Sequence, residues 1–548
     1  MSPGDSQDLY SWRGTAQARN LVLTGFMGTG KTRVGQEVAL RLGRLFVDMD
    51  AEIEARAGKS IPSIFADDGE AAFRRMEAEL CRELSGESGL VIATGGGALI
   101  DAGNRQAMMR QGTVICLSGD ADEIQRRLFR NDAPDRPLLE VSDPLAEIVR
   151  LLAERQDAYA AIPWQVNTTH LSVDAVVEEV TGLAGSVTLQ VSHPGGAYPI
   201  HIGDGLLRHV GGALRATGSV PGDRVAVVSN PVVESLYGQQ VRAALGAASY
   251  RPVSCIIPDG EQYKTLDTVA ALYDQFLQGG LDRSSAVVSL GGGVTGDVAG
   301  FAAATFMRGV PFVQVPTTLL SMVDASVGGK VGVDLSQGKN LAGAFKHPVL
   351  VVIDPKVMAT LPDEEVRSGM AEVIKHGVIG DPDLLLELES PPSTTRFDAS
   401  VSQLARALSV KIQVVEDDPF EQGRRAVLNL GHTVGHALER LSDFSLRHGE
   451  AVAIGMVAAA RISAEMGRAE TSLPGRIEAV LAAWDLPVHC PPFDSEEICE
   501  AMSHDKKRRG ASLRWILPHA IGHVEVADDV PDPVIFSVLT GMGARSRE

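Results

Sequence analysis

Between Asn429 and Val452 the stretch NLGHTVGHALERLSDFSLRHGEAV packs His432, His436 and His448 into one short span, with Glu439 and Glu450 close by. Imidazole nitrogens and carboxylates are zinc donors, and His432 and His436, four apart, share a face of any helix that contains them. The pair imitates H-E-x-x-H, but Thr433 stands where the general-base glutamate would be, which removes the metalloprotease reading. A two-histidine site that keeps a coordination position open needs a third protein ligand, and Glu372 in SGMAEVIKHG is a candidate from a separate helix.

A second chemistry lies near the N-terminus. GFMGTGKT, from Gly25 to Thr32, fits G-x-x-x-x-G-K-[ST] between a predicted strand and a predicted helix. Gly28 and Gly30 let backbone N–H groups close around phosphate oxygens, while Lys31 supplies a point charge and Thr32 a hydroxyl for Mg²⁺. This signature calls for a nucleoside triphosphate without naming the acceptor. In DMD, Asp48 and Asp50 are expected at the end of the next strand on one face, one carboxylate for Mg²⁺ and one for an acceptor hydroxyl. A third motif, SLGGGVTGDVAG, holds Gly291, Gly293 and Gly296 in G-x-G-x-x-G spacing after a predicted strand. No acidic residue follows about twenty positions on, so a nonstandard dinucleotide mode is expected, with Glu261 and Lys264 of DGEQYK as ribose and phosphate contacts.

The elements that must carry these motifs fall into blocks. NLVLTGF, RLFVDMD, LVIATGGG and GTVICLSG alternate with helical patterns up to about Leu183, as βαβ units of a parallel sheet do. A second α/β series runs from RVAVVSN through SCIIPDG, AVVSLGGG, FVQVPTT and VLVVIDP to about Leu361; beyond it, long helical patterns dominate. The expected architecture is α/β: a tail over 1–17, a phosphate-loop kinase domain with a parallel sheet over 18–183 and a linker over 184–190. A Rossmann-like dinucleotide-binding part over 187–361 and a mainly helical metal-binding part over 362–548 follow.

The 548 residues exceed one ordinary core. A formal charge of −20 gives no general footprint for nucleic acid, although HDKKRRG could hold a phosphate on a small substrate. Five cysteines without a C-x-x-C read as reduced thiols, and no apolar run is long enough to span a bilayer. No membrane partner and a cytoplasmic location are expected.

Further residues turn the first block into a pattern: Arg74 in AAFRRMEAEL, Gly95, Gly96 and Gly97, Arg136 in DAPDRPLL and Arg155 in AERQDAYA. Together with the phosphate loop and D-x-D they resemble shikimate kinase over nearly all of 18–183. The resemblance implies ATP with Mg²⁺, held through Gly28, Gly30, Lys31, Thr32 and Asp48. Shikimate would lie on Asp50, Arg74, Gly95 to Gly97 and Arg155, with Arg136 on a lid over the phosphates. Lys31, Asp50 and Arg136 are then the catalytic group.

From about 187 onward, PTTLLSMVDASVGGKVGVDLSQGKNLAGAFKHP, SGMAEVIKHG, EQGRRAVLNLGHTVGH and RHGEAVAIGM resemble 3-dehydroquinate synthase. The resemblance implies NAD and a metal, zinc with cobalt as the alternative, and assigns the metal to Glu372, His432 and His448. NAD maps to Asn230, Glu261, Lys264, Gly292, Gly293, Asp297, Thr317, Thr318 and Lys339. Substrate maps to Asp324, Lys330, Asn340, Lys375, Lys411, Arg425, Asn429 and His436, with Arg308, Lys506 and Lys507 toward its phosphate end. Lys330, Lys375, Glu421 and His436 are the catalytic candidates, with Glu421 and His436 handling protons from helices.

The implied substrates are small molecules, 3-deoxy-arabino-heptulosonate 7-phosphate and shikimate, and a homodimer through the second half is expected. The rival reading of that half is a metal-dependent polyol dehydrogenase. Arg308, Lys330 and Arg425, cations suited to phosphate, favour the synthase. An inactive scaffold is disfavoured because neither half has lost a motif residue.

Overall fold

The computed structural model describes residues 19–129, 143–390, 399–443, 445–509 and 513–546, with no side chain described from 503 to 512. The most apolar runs form central strands buried on both faces, the condition under which parallel sheets are stable. In the first block the strands are β1 (Asn20–Gly25), β2 (Leu45–Asp48), β3 (Leu90–Ala93), β4 (Gly112–Ser118) and β5 (Trp164–Asn167), all parallel in the order β2-β3-β1-β4-β5, with β1, β3 and β4 buried and the edge strands β2 and β5 partly exposed. The order places β1 in the middle, so its C-terminal end delivers the phosphate loop to the centre of the sheet edge.

β2 stops at Asp48, which corrects the placement of Asp50 on a strand face. Asp48 instead caps the helix Met49–Ala57, accepting from the backbone N–H groups of Asp50 and Ala51. Aspartate is a strong N-cap, and that local hydrogen bonding outcompetes strand continuation.

The second sheet has seven strands: β6 (Val187–His193), β7 (Gly196–Ile202), β8 (Arg224–Ser229), β9 (Arg251–Ile256), β10 (Ala286–Gly291), β11 (Phe312–Pro316) and, after the hairpin β12 (Lys330–Leu335) and β13 (Gly338–Phe345), β14 (Leu350–Ile353). Its order is β6-β7-β14-β11-β10-β8-β9, parallel except for the β6/β7 hairpin. Chain order reverses between β8 and β10, the crevice where open α/β sheets bind ligands beyond their carboxyl ends. The remainder is helical, as the sequence suggests, with one addition: the antiparallel pair β15 (Trp515–Ala520) and β16 (His523–Ala527). Among the described residues all five cysteines are free and no helix is long and apolar enough to cross a membrane.

The junction is shorter than the expected linker. Residues 187–190 already belong to β6, so only Gly185 and Ser186 separate it from the helix Val173–Ala184. The two blocks then share one core, in which Trp164, Val177, Val180 and Leu183 pack with Ile200, Ile202, Leu206 and Val210. Trp164 meets His201 with ring centroids 4.8 Å apart and His209 at 6.0 Å, both edge-on. Burial pushes both imidazoles down to about 4, so they sit in this seam uncharged.

Candidate active sites

The phosphate loop is built by backbone. Gly28 and Gly30 take φ of 79° and 97°, the left-handed region that glycine enters without strain, and Gly30 caps the helix Lys31–Leu42. The Lys31 ammonium donates to the Gly25 and Phe26 carbonyls at 3.0 and 3.1 Å, spanning the loop mouth where a phosphate would lie. Thr32 Oγ1 donates to Asp48 Oδ2 at 2.7 Å, which brings a hydroxyl and a carboxylate together as oxygen donors suited to Mg²⁺.

The glycine triplet floors the neighbouring acceptor site. A Cβ on Gly95 would lie 2.6 Å from Asp50 Oδ1 and 3.0 Å from Glu77 Oε1, and one on Gly97 would lie 2.6 Å from Arg74 Nη1. The Gly96 carbonyl accepts from Arg155 at 3.2 Å and from the Tyr159 hydroxyl at 2.8 Å, while Arg155 also lies over the Phe26 ring. Arg74 is fixed by Glu77 at 2.6 Å. Burial raises the Glu77 carboxyl, opposed by Arg74. The sequence reading missed Glu77 and gave Tyr159 no role; the i,i+3 and i,i+4 spacings to Arg74 and Arg155 were the available signals. Arg136 lies outside the described residues.

In the second half, the residues expected to hold the dinucleotide follow the carboxyl ends of four adjacent strands. Asn230 follows β8, Glu261 and Lys264 follow β9, Gly292 and Gly293 follow β10, and Thr317 and Thr318 follow β11. Asn230 caps the next helical turn and donates to Asp259 at 2.7 Å. Gly292 caps the helix Gly293–Thr305, and a Cβ on it would lie 3.2 Å from the Thr318 methyl. Buried Lys264 reaches Asp297 and Asn340, each at 2.6 Å, and Lys339 reaches Glu261 at 3.4 Å.

Three helices converge on the metal candidates: Asp363–Gly380 carries Glu372, while His432–Leu441 and His448–Glu465 begin with their histidines. Close approach is enforced by glycine. A Cβ on Gly449 would lie 1.9 Å from the Ser368 carbonyl oxygen, and one on Gly455 would lie 1.8 Å from that of Gly431. Glu372, His432 and His448 each offer a donor atom within 4.8 Å of the others. Nε2 of His432 and of His448 stand 4.0 and 3.8 Å from Glu372 Oε1. Both Nδ1 atoms are taken elsewhere, by the Leu430 carbonyl at 3.2 Å and by Glu439 at 2.8 Å. Glu372 is fully buried and neither of its oxygens accepts a hydrogen bond; the Lys375 ammonium is its ion-pair partner. A buried carboxylate facing two Nε2 atoms is the donor set a divalent cation requires. Glu450 is no ligand candidate here, because it accepts from the Arg447 backbone N–H as a helix cap.

Around this centre, Lys411 Nζ lies 2.5 Å from Asp324 Oδ1. Burial would raise the Asp324 carboxyl, but the Lys411 and Lys375 ammonium groups outweigh it and hold it well below the usual range. Arg425 donates to the Pro419 carbonyl at 3.0 Å and to Gly328 at 3.3 Å. Lys330 pairs with Glu421 at 2.5 Å. Exposed His436 sits with its ring centroid 5.1 Å from that of His432, and Asn429 ends the turn just before them.

One expectation needs correction. Glu421 is not on a helix; it lies between Val401–Asp417 and Arg424–Asn429 with φ of 59°, because the chain must reverse there. Arg308 is exposed in a left-handed turn just beyond the helix Gly293–Thr305, and a Cβ on the adjacent Gly309 would lie 3.9 Å from Lys346 Nζ. Lys506 and Lys507 fall on the helix Ser495–Arg509, with side chains outside those described.

The folds and sites define a bifunctional enzyme, a phosphate-loop phosphotransferase joined to a doubly wound α/β domain with a helical histidine–glutamate centre. The shikimate kinase family matches residues 27–183, and the N- and C-terminal families of 3-dehydroquinate synthase match 254–368 and 369–508. A 3-dehydroquinate synthase of Synechococcus sp. is 46% identical over 361 residues, covering 65% of this chain and 98% of that protein. The chain belongs to the 3-dehydroquinate synthase family and carries a shikimate kinase domain ahead of it. Among solved structures, 2-epi-5-epi-valiolone synthase from Streptomyces hygroscopicus, with NAD⁺ and Zn²⁺ bound, is 29% identical with a TM-score of 0.57, covering 63% of this chain and 96% of its own. A 2-deoxy-scyllo-inosose synthase with carbaglucose-6-phosphate, NAD⁺ and Co²⁺ is 26% identical with a TM-score of 0.55, covering 65% of this chain and all of its own.

Proposed function

We propose that the first half transfers the ATP γ-phosphoryl group to shikimate and that the second converts 3-deoxy-arabino-heptulosonate 7-phosphate to 3-dehydroquinate and phosphate. In the kinase, Lys31 leaves its loop carbonyls for the β- and γ-phosphates, and Thr32 with Asp48 holds Mg²⁺. Asp50 takes the acceptor hydroxyl proton, Arg74 and Arg155 take the carboxylate, and the absent side chains at Gly95 and Gly97 leave room for the ring.

In the synthase, Glu372, His432 and His448 hold the metal, with zinc and cobalt both compatible with the donors. When bound, NAD supplies a reversible hydride acceptor and the metal polarises the hydroxyl being oxidised. The chain's own residues do the rest. Lys375, Lys411 and Arg425 stabilise developing enolate charge, Lys330 neutralises the phosphate, and Glu421 and His436 move protons. The carrying observation is the convergence of Glu372, His432 and His448 beside Lys375 and the Asp324–Lys411 pair.

The test is a pair of assays on one preparation: phosphate release from the heptulosonate phosphate with catalytic NAD and zinc, and ATP-dependent phosphorylation of shikimate. Failure of either removes that half of the proposal. A cytoplasmic location and a homodimer through the synthase half complete it. Sedimentation of the full chain reads the latter, and a monomer at working concentration would refute it.

A further inference from the structure

The structure assigns Glu439 as the residue that orients His448 toward the metal, an assignment that rests on the metal site proposed above. Glu439 lies on the helix His432–Leu441, seven residues beyond His432 and three beyond His436, so one stripe of that helix carries a ligand, a proton-handling residue and this carboxylate. Its Oε1 accepts from His448 Nδ1 at 2.8 Å. An imidazole bound that way carries its proton on Nδ1 and presents the Nε2 lone pair, and here Nε2 is the atom that faces Glu372 at 3.8 Å. Glu439 thus stands behind the ligand. A carboxylate accepting the second ring N–H fixes the tautomer and ring plane and increases the basicity of the coordinating nitrogen.

The other metal-facing histidine shows the same arrangement with a different partner. His432 Nδ1 lies 3.2 Å from the Leu430 carbonyl, which no side-chain substitution removes. Glu439 is therefore a side chain through which the centre can be loosened without deleting a ligand. It is mostly buried, with 13% of its side chain exposed, so water does not readily replace the bond. Glu450, the other acid in this stretch, is occupied as a helix cap.

The experiment compares Glu439→Gln with Glu439→Met in the full chain. Both side chains are close in length and suit a helix, but only glutamine keeps an acceptor for Nδ1–H. Zinc affinity is read by chelator competition, cobalt-loaded protein by its visible absorption, and folding by the shikimate kinase activity of the same molecules. Glu439→Met is expected to weaken zinc binding about 10- to 100-fold and to shift the cobalt bands, with Glu439→Gln within a few-fold of the parent and kinase activity unchanged in both. Equal zinc affinity for the two variants and the parent, while His432→Ala loses zinc, would overturn the assignment and leave the metal site standing. Retention of zinc by His432→Ala as well would overturn the metal site, and the role of Glu439 with it.

Discussion

The phosphate loop of the kinase half and the histidine–glutamate centre of the synthase half both hold charge at a fixed point, and they do so by opposite means. The loop uses consecutive backbone groups between Gly25 and Thr32, with left-handed glycines shaping it and one strand and one helix supporting it. The metal centre uses side chains 60 and 16 residues apart, at 372, 432 and 448, and exists only because three helices approach closely through Gly449 and Gly455. A site made of backbone is local; a site made of side chains depends on packing far from the chemistry. Damage to the first should stay within a few residues, whereas the second can be disabled from several helices.

The sharpest test of this contrast removes the buried ligand. Glu372→Ala should lower synthase turnover about a thousandfold, the equivalent of roughly 4 kcal/mol of lost electrostatic stabilisation, and leave shikimate phosphorylation untouched. A parallel fall in kinase activity would show that the sites are not separable. Next in size, Lys31→Ala should cost the kinase roughly a hundredfold or more in kcat with the synthase unchanged, measured in coupled ADP-release and phosphate-release assays.

A smaller effect is expected at the acceptor floor. Gly97→Val places a side chain where Arg74 Nη1 would be 2.6 Å away, and should raise the shikimate KM about tenfold, roughly 1.4 kcal/mol, while the KM for ATP stays put. Equal changes in both would mean that the triplet supports the whole cleft rather than the acceptor alone.

The mildest test concerns the seam between the halves. His201 and His209 are lowered from 6.5 to about 4, so the unfolded chain binds more protons than the folded one between those values. Their contribution to stability is complete above about pH 6.5 and is lost progressively as pH falls toward 4. Thermal unfolding should therefore move to lower temperature across that window, and Trp164→Phe with His201→Leu should flatten the slope. A slope unchanged by the double substitution would place the acid sensitivity elsewhere.

What could be read beforehand follows the same division. The loop, its flanking strand and helix, and the parallel βαβ character of the first block were legible because they are properties of contiguous residues. The chemistry of His432, His436 and His448 was legible too, but their division of labour was not. Four-residue spacing favours His432 with His436, Glu372 was a candidate from the need for a third ligand, and only the resemblance put His448 in place of His436. Glu77 escaped notice, and Glu439 was seen but given no role, because an acid three residues from an arginine or a histidine is commonplace until burial gives it a purpose. Glu421 was set on a helix although its loop carries Pro419 and Gly423, because the left-handed residue there is Glu421 itself rather than the glycine. The Asp48 cap was overlooked because D-x-D reads equally well as a strand end.

The two-residue junction and the Trp164 seam also bear on the order in which this chain is made. The kinase sheet is complete once β5 has left the ribosome, but the face beside Trp164 finds its cover only in β7 and in the helical turns near His209. At roughly 5–20 residues per second, those segments follow within a few seconds. The apolar flank of the nascent kinase is thus bare for only a short interval, and the first piece of the synthase to emerge acts as its built-in chaperone.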